Sequence, residues 1–196
     1  GGGDTGSGND NVIDYITIAS TGNATDFGDL TVARKALAAC SSSTRGIFGG
    51  GYSNAQSTDT MSYISISSTG NTTDFGNLTA GAYLPSAFAS STRGVFGAGA
   101  NADSEALNII EYVTIANTGN GTDFGDLSAN NDSGSSGVNS PTRGIVMGGI
   151  SFNNRIELIE MSSSGGHTDF GNLSSTRGNV AGMSSSTRGI CGGGRN

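Results

Sequence analysis

The sequence predicts an all-β protein assembled from four copies of one unit, and three observations carry that reading. The triplet Asp-Phe-Gly occurs four times, its aspartates being Asp26, Asp74, Asp123 and Asp169, in steps of 48, 49 and 46 residues. A Thr-Arg-Gly that opens each glycine-ended run keeps the same beat, with Arg45, Arg93, Arg143 and Arg188 spaced by 48, 50 and 45 residues. The apolar residues between these marks come in short β-branched clusters with no helical spacing. Glycine supplies 34 of 196 residues, far above the usual ~7%. Such a composition can signal disorder, but the β-branched clusters argue for a folded chain.

The four units run over residues 11–51, 59–99, 108–149 and 154–194, within one domain spanning 1–196. Each holds four candidate strands. "VIDYITI", "MSYISI", "IIEYVTI" and "RIELIEM" are the clearest, with apolar groups on both faces: Ile13 and Tyr15 on one, Ile16 and Ile18 on the other. A strand covered on both faces belongs between stacked sheets. "TDFGDL" follows as a short strand, and "RGIFGGG" is another. The segment before "SSSTRG", Ala36 to Cys40 in the first unit, completes the set, and its small residues suit strands that converge on an axis. A period in the high forties with four strands matches one blade of a β-propeller. Start and end of the chain fall at the same point of the repeat, so the expectation is a four-bladed ring closed by pairing of its terminal strands; the alternative is an excerpt from a longer array, or a ring completed by another chain. The glycine-led start, without an initiator Met, also reads as a segment of something longer.

A glycine doublet that ends one strand, a Tyr-containing strand after it and an aromatic in the next resembles kelch repeats. The resemblance is loose. Phe27 stands where kelch usually has Trp, twelve residues after Tyr15, and Leu158 replaces Tyr15, Tyr63 and Tyr112 in the fourth unit. The "TRGIFGGG" and "TDFGDLT" types also resemble glycine- and serine-rich repeats in structural proteins of marine bacteriophages. That resemblance implies a virion or tail-fibre setting, with other structural subunits as partners and a location on the virion surface or otherwise outside the cell.

Charge and composition exclude several functions. Net charge is −7 and the only lysine is Lys35, so phosphate backbones and anionic membrane surfaces are repelled and nucleic acid is not expected as a partner. No apolar run reaches the length of a spanning helix, and membrane insertion is not expected. Cys40 and Cys191 form no scaffold or zinc spacing and read as free buried thiols. Asp-Phe-Gly is also the magnesium-binding triplet of protein kinases, but neither the strand lysine nor the catalytic "HRD" accompanies it. Four copies suit a building block better than a metal ligand.

The structural reading is that Asp26, Asp74, Asp123 and Asp169 cap turns, the following Phe packs between blades and Gly lets the backbone bend. Arg45, Arg93, Arg143 and Arg188 are each expected to bond an aspartate or a backbone carbonyl; a ring of four arginines that binds phosphate or sulfate is the sharper alternative. His167, the only histidine, reads as a turn residue. No catalytic constellation, metal set or cofactor motif stands out, so the chain reads as a non-enzyme. A calcium loop at residues 4–11 is a further reading of "DTGSGNDN". Six Asn-x-Ser/Thr sites occur, at Asn23, Asn71, Asn77, Asn120, Asn131 and Asn172. They read as turn asparagines in a phage or bacterial protein and as glycan acceptors in a secreted eukaryotic one.

The units differ most in two connections, the one after the glycine cluster and the one after "DFGDL". In an up-and-down blade both emerge on one face. Loops on a rigid scaffold are where binding resides, which makes Tyr52, Asn54, Tyr83, Asn101, Asp103, Phe152 and Asn153 the candidate ligand-binding residues. The leading expectation is a binding or adhesion module for a cell-surface glycan or protein receptor. The rival readings are a purely structural spacer or decoration unit of a fibre, capsid or extracellular assembly, and an enzyme with carboxylates and tyrosines in one central pocket.

Overall fold

The computed structural model describes residues 1–129, 134–149, 154–163 and 165–195. Its strands, in chain order, are β1 (Gly3–Asp4), β2 (Asn9–Asp10), β3 (Val12–Tyr15), β4 (Thr25–Asp29), β5 (Ala38–Ser41), β6 (Arg45–Gly49), β7 (Tyr52–Ser53), β8 (Gln56–Ser57), β9 (Thr60–Ser65) and β10 (Thr73–Asn77). They continue as β11 (Ser86–Ala89), β12 (Arg93–Gly97), β13 (Ile109–Thr114), β14 (Thr122–Asp126), β15 (Ser136–Asn139), β16 (Arg143–Met147), β17 (Arg155–Glu160), β18 (Thr168–Asn172), β19 (Ala181–Ser184) and β20 (Gly189–Gly192). The described residues contain no helix.

Three sheets have four antiparallel strands each, β5-β6-β9-β10, β11-β12-β13-β14 and β15-β16-β17-β18. Each takes its first two strands from one sequence unit and its last two from the next. The glycine-ended strand of one unit pairs with the Tyr strand of the following unit, so the sheet crosses the unit boundary. At one end β3-β4 forms an outer half-sheet, and at the other β19-β20 forms an inner half-sheet.

The expected closed four-bladed ring is therefore corrected. β3 pairs with β4 and β20 pairs with β19, and the two terminal pairs do not join into a fourth four-stranded sheet. Neighbouring sheets stack in chain order, with the inner strands β5, β11, β15 and β19 packed successively against one another. The burial expected on both faces of every Tyr strand also fails in the first unit. Ile115 and Met161 are 2% and 4% exposed, whereas their counterpart Ile18 is 95% exposed. The fourth expected layer, which would cover it, is missing from that end.

Stacking is built from the repeated residues. In β4, β14 and β18 the aspartate of the triplet accepts from the amide of the glycine two residues on, Asp26 Oδ1 from Gly28, Asp123 Oδ1 from Gly125 and Asp169 Oδ1 from Gly171. That turn accompanies a bulge in the pairing of all four such strands, which the glycine permits through φ of 127–141°. The bulged strand then presents carbonyls to the next sheet's turn. Gly70 N donates to Phe27 O, Gly119 N to Phe75 O and Gly165 N to Phe124 O. The side chains of Asn71 and Asn120 complete the joint by accepting from Asp29 N and Asn77 N, both at 3.0 Å. Phe27, Phe75 and Phe124 are each buried against their own sheet's tyrosine, edge to face, as in Tyr63–Phe75 at 5.9 Å and Tyr112–Phe124 at 5.9 Å.

Arg45 and Arg93 settle on carbonyls, not aspartates. Arg45 donates through one terminal nitrogen to Ile115 O and Ala116 O, at 2.9 and 2.7 Å, and Arg93 to Met161 O and Ser163 O, at 2.8 and 3.2 Å. Each crosses to the next sheet while its guanidinium lies over a tyrosine of its own, 4.4 Å above Tyr63 and 4.2 Å above Tyr112. Arg143 instead meets Glu160 of its own sheet at 3.0 Å, and Arg188 is exposed.

Polar groups are also buried between sheets. Arg34, wholly buried, donates to Thr60 O, Phe48 O and Ser62 Oγ, and burial lowers its pKa to about 10. At the position equivalent to Ser62, Glu111 accepts from Thr79 N at 2.7 Å and Glu157 from Ser128 N at 2.8 Å. Burial raises the pKa of Glu111 despite the Thr79 amide. A carboxyl raised in the folded state stabilises the fold fully below its ordinary range and loses that contribution as pH rises through the folded value. Wild type should therefore gain stability relative to Glu111→Gln as pH falls from about 7 to about 4, measured as the shift between their urea midpoints. A difference that stays constant with pH would contradict this.

Of the two cysteines, both free, Cys40 is buried and its thiol is pushed up to about 12 by burial, while Cys191 is only partly buried.

Candidate functional site

Both divergent connections emerge at the same end of the sheets, and in the middle of the protein they meet. Residues 31–37 and 79–85 follow the bulged strands, and residues 52–59 and 101–108 follow the glycine clusters. Backbone bridges tie them: Tyr52 N donates to Lys35 O at 2.7 Å, Tyr83 N to Ala100 O at 2.9 Å and Leu84 N to Ala36 O at 2.7 Å. The close approach depends on glycine. Gly99 sits at φ 95°, and a methyl there would lie 2.9 Å from the Tyr83 carbonyl oxygen.

These ties bring Tyr52 and Tyr83 edge to face, with ring centroids 5.7 Å apart and planes at 72°. The pair opens into a cleft of about 330 Å³ whose walls are Lys35, Ala36, Leu84, Ala102 and Ser104. Ala36 and Leu84 occupy equivalent positions and both have left-handed backbones, φ 56° and 53°. The strain turns each loop so that the preceding side chain, Lys35 or Tyr83, lines the cleft. Tyr83 Oη reaches Ser104 Oγ at 3.5 Å, and Asn9 Nδ2 holds Tyr52 O at 2.8 Å.

The other expected ligand-binding residues are distributed around this cleft unevenly. Asn54 is exposed at the tip of the β7–β8 hairpin, at φ 50°. Asn101 braces its own loop: its Oδ1 accepts from Asp103 N and Glu105 N, and its Nδ2 donates to Glu105. Asp103 is exposed on that loop. Phe152 and Asn153 lie outside the described residues. Lys35, Ala36, Leu84 and Ser104 escaped sequence reasoning, although the lone lysine in a divergent loop was a signal that could have marked Lys35.

Lys35 is held at the cleft wall in an ion pair with Asp4, which lowers the pKa of that carboxyl, together with the Gly6 amide. Asp10 Oδ1 in turn accepts from Asn11 N and Val12 N. The two carboxylates of the 4–11 loop are thus engaged by the protein, and among the described residues no three His, Cys, Asp or Glu side chains cluster as a metal site.

At the opposite end, the four serine-rich turns before the arginines line one shallow opening, from Ser41–Ser43, Ala89–Ser91, Asn139–Pro141 and Ser184–Ser186. None of the four arginines lines this opening: Arg45 and Arg93 turn to carbonyls of the next sheet and Arg143 to Glu160. His167 spans two sheets: its Nδ1 lies 2.9 Å from Asp126 O, and its Nε2 lies 3.8 Å from Glu157.

No protein-family model matches the chain, and no curated protein matches it either.

Proposed function

We propose that this chain is a non-enzymatic binding module whose ligand, a glycan or a polar surface of a receptor protein, occupies the Tyr52–Tyr83 cleft. The observation that carries the reading is the edge-to-face tyrosine pair at the meeting of loops that differ from unit to unit, on a scaffold that otherwise repeats. Tyrosine offers an apolar ring and a polar tip at low entropic cost, which suits the wet recognition of sugar faces. The cleft carries two tyrosines and no carboxylate on its walls, which favours binding over hydrolysis. The location on a virion or cell exterior, with fibre or capsid subunits as neighbours, rests on the repeat resemblance. A purely structural role is the second reading, favoured by the apolar residues exposed at the two ends of the stack.

Screening the chain on a glycan array and titrating the best binder tests the proposal. Tyr52→Ala and Tyr83→Ala should each weaken binding by about tenfold or more, about 1.4 kcal/mol, and leave the urea midpoint nearly unchanged. Binding that survives both substitutions removes the cleft from consideration, and an array without binders favours the structural reading.

A further inference from the structure

Among the described residues nine large hydrophobic side chains are exposed, and eight of them lie at the two ends of the stack. Val12, Tyr15, Ile16, Ile18 and Ile66 face outward at the N-terminal end, and Phe170, Met183 and Ile190 at the C-terminal end. Their counterparts inside the stack are covered. Phe170 is 56% exposed where Phe27, Phe75 and Phe124 are 8%, 2% and 2%. Met183, 65% exposed, stands where Cys40, Phe88 and Val138 are buried against Gly94, Gly144 and Gly189 of the following sheet. The first glycine of that series, Gly46, meets only Ile64 of its own sheet. Gly28, Gly76 and Gly125 each press on the next sheet's turn, whereas Gly171, with the same backbone, has nothing within 4 Å. A cavity of about 300 Å³ lies beside the inner half-sheet, lined by Val138, Ile145, Ile156, Phe170 and Arg143.

Both ends lack the same layer, and each carries the half the other needs. We propose that the β19-β20 half-sheet of one molecule pairs with the β3-β4 half-sheet of a second copy, completing a four-stranded sheet across a head-to-tail interface. The register follows from the pairs Arg93↔Thr114 to Gly97↔Ile110 inside the chain: Arg188 opposite Thr17, Ile190 opposite Tyr15 and Gly192 opposite Ile13. The repeated joints extend across it. Arg188 stacks on Tyr15, as Arg45 does on Tyr63, and Phe170 O receives Gly22 N, as Phe124 O receives Gly165 N. Ile18 fills the cavity beside Arg143.

Charge complementarity supports the same join. Arg177 occupies the position of Arg34, but its terminal nitrogens reach only Gly193 O and Ser174 Oγ, both at 3.4 Å. Arg34 reaches Ser62 of the following sheet, and the residue equivalent to Ser62 at the open N-terminal end is the exposed Asp14. The interface thus supplies Arg177 with a carboxylate. It is heterologous, so it propagates into a filament or closes into a ring according to its rotation. It also covers the open sheet edges that otherwise invite uncontrolled pairing. The interface lies away from the ligand cleft, which is formed by loops of the middle sheets.

Light scattering on the eluting 196-residue chain tests it. Wild type should run at multiples of 19.5 kDa. Ile18→Asp and Met183→Asp each spoil one end and should each be monomeric. Mixed in equal amounts, they retain one good interface and should give a heterodimer and nothing larger. Both residues are exposed, so circular dichroism should show unchanged strand content. A wild-type monomer, including one in which β20 reaches its own β3, or a mixture that stays monomeric, overturns the proposal. Glycan binding can survive that outcome, so failure here and failure of the cleft are distinguishable.

Discussion

Gly76→Ala should destabilise the protein by about 3 kcal/mol or more, and Gly171→Ala by only about 1–2 kcal/mol, in the unassembled chain. The two glycines share a backbone, φ 138° and 137°, so the strain of placing an L side chain there is common to both. They differ in what lies beyond. A methyl at Gly76 overlaps the carbonyl of Gly119 in the next sheet's turn, whereas at Gly171 there is open space. The turn at Gly119 also donates to Phe75 O at 2.7 Å, and backbone cannot move aside without breaking that bond. Urea unfolding of the two variants measures the difference. Equal losses would show that strain alone matters and that sheet-to-sheet contact at this joint contributes little.

Arg93→Ala should cost about 2–4 kcal/mol, against about 0–1 kcal/mol for Arg143→Ala. Arg93 donates to two carbonyls across the sheet boundary, at 2.8 and 3.2 Å, and stacks 4.2 Å over Tyr112. Its removal leaves those carbonyls and the tyrosine face uncovered at once. Arg143 has an ion pair with Glu160 in which its side chain is 56% exposed, and screened pairs of that kind contribute little. Arg93→Lys should fall between, since an ammonium keeps the charge and loses the planar stack. Denaturant midpoints of the three variants decide it. A cost for Arg93→Ala no larger than for Arg143→Ala would remove the arginine joint as a source of stability. Where each sheet packs on its neighbours in chain order, stability is a sum over neighbouring interfaces, so the same substitution should weaken one boundary and leave distant ones intact.

Much of this architecture can be read from residues alone. The period, the all-β class and the four strands per unit follow from the spacing of Asp26, Asp74, Asp123 and Asp169 and from the β-branched runs. Local chemistry dictates them: the Asp-x-Gly bulge and the Ser-x-x-Arg turn need no distant partner to form. The expectation that Tyr52 and Tyr83 belong on one divergent face also came from sequence, because divergence against a constant background is visible within a single chain.

Other features depended on the fold. Which aspartate or carbonyl each arginine would take is a matter of how far one sheet lies from the next, and spacing along the chain does not encode it. Arg34 was unmarked because its partners, Thr60, Phe48 and Ser62, come together only when two sheets stack. Whether the ring closes was likewise beyond the pattern. Four equal units are compatible with a circle or a row, and the choice lies in the rotation between successive sheets, a small angle set by side-chain packing at each joint. The repeating unit is written in the chain, through local turn and strand chemistry. How units share strands, and where the stack is left open, emerges on folding, because both depend on contacts between residues dozens of positions apart.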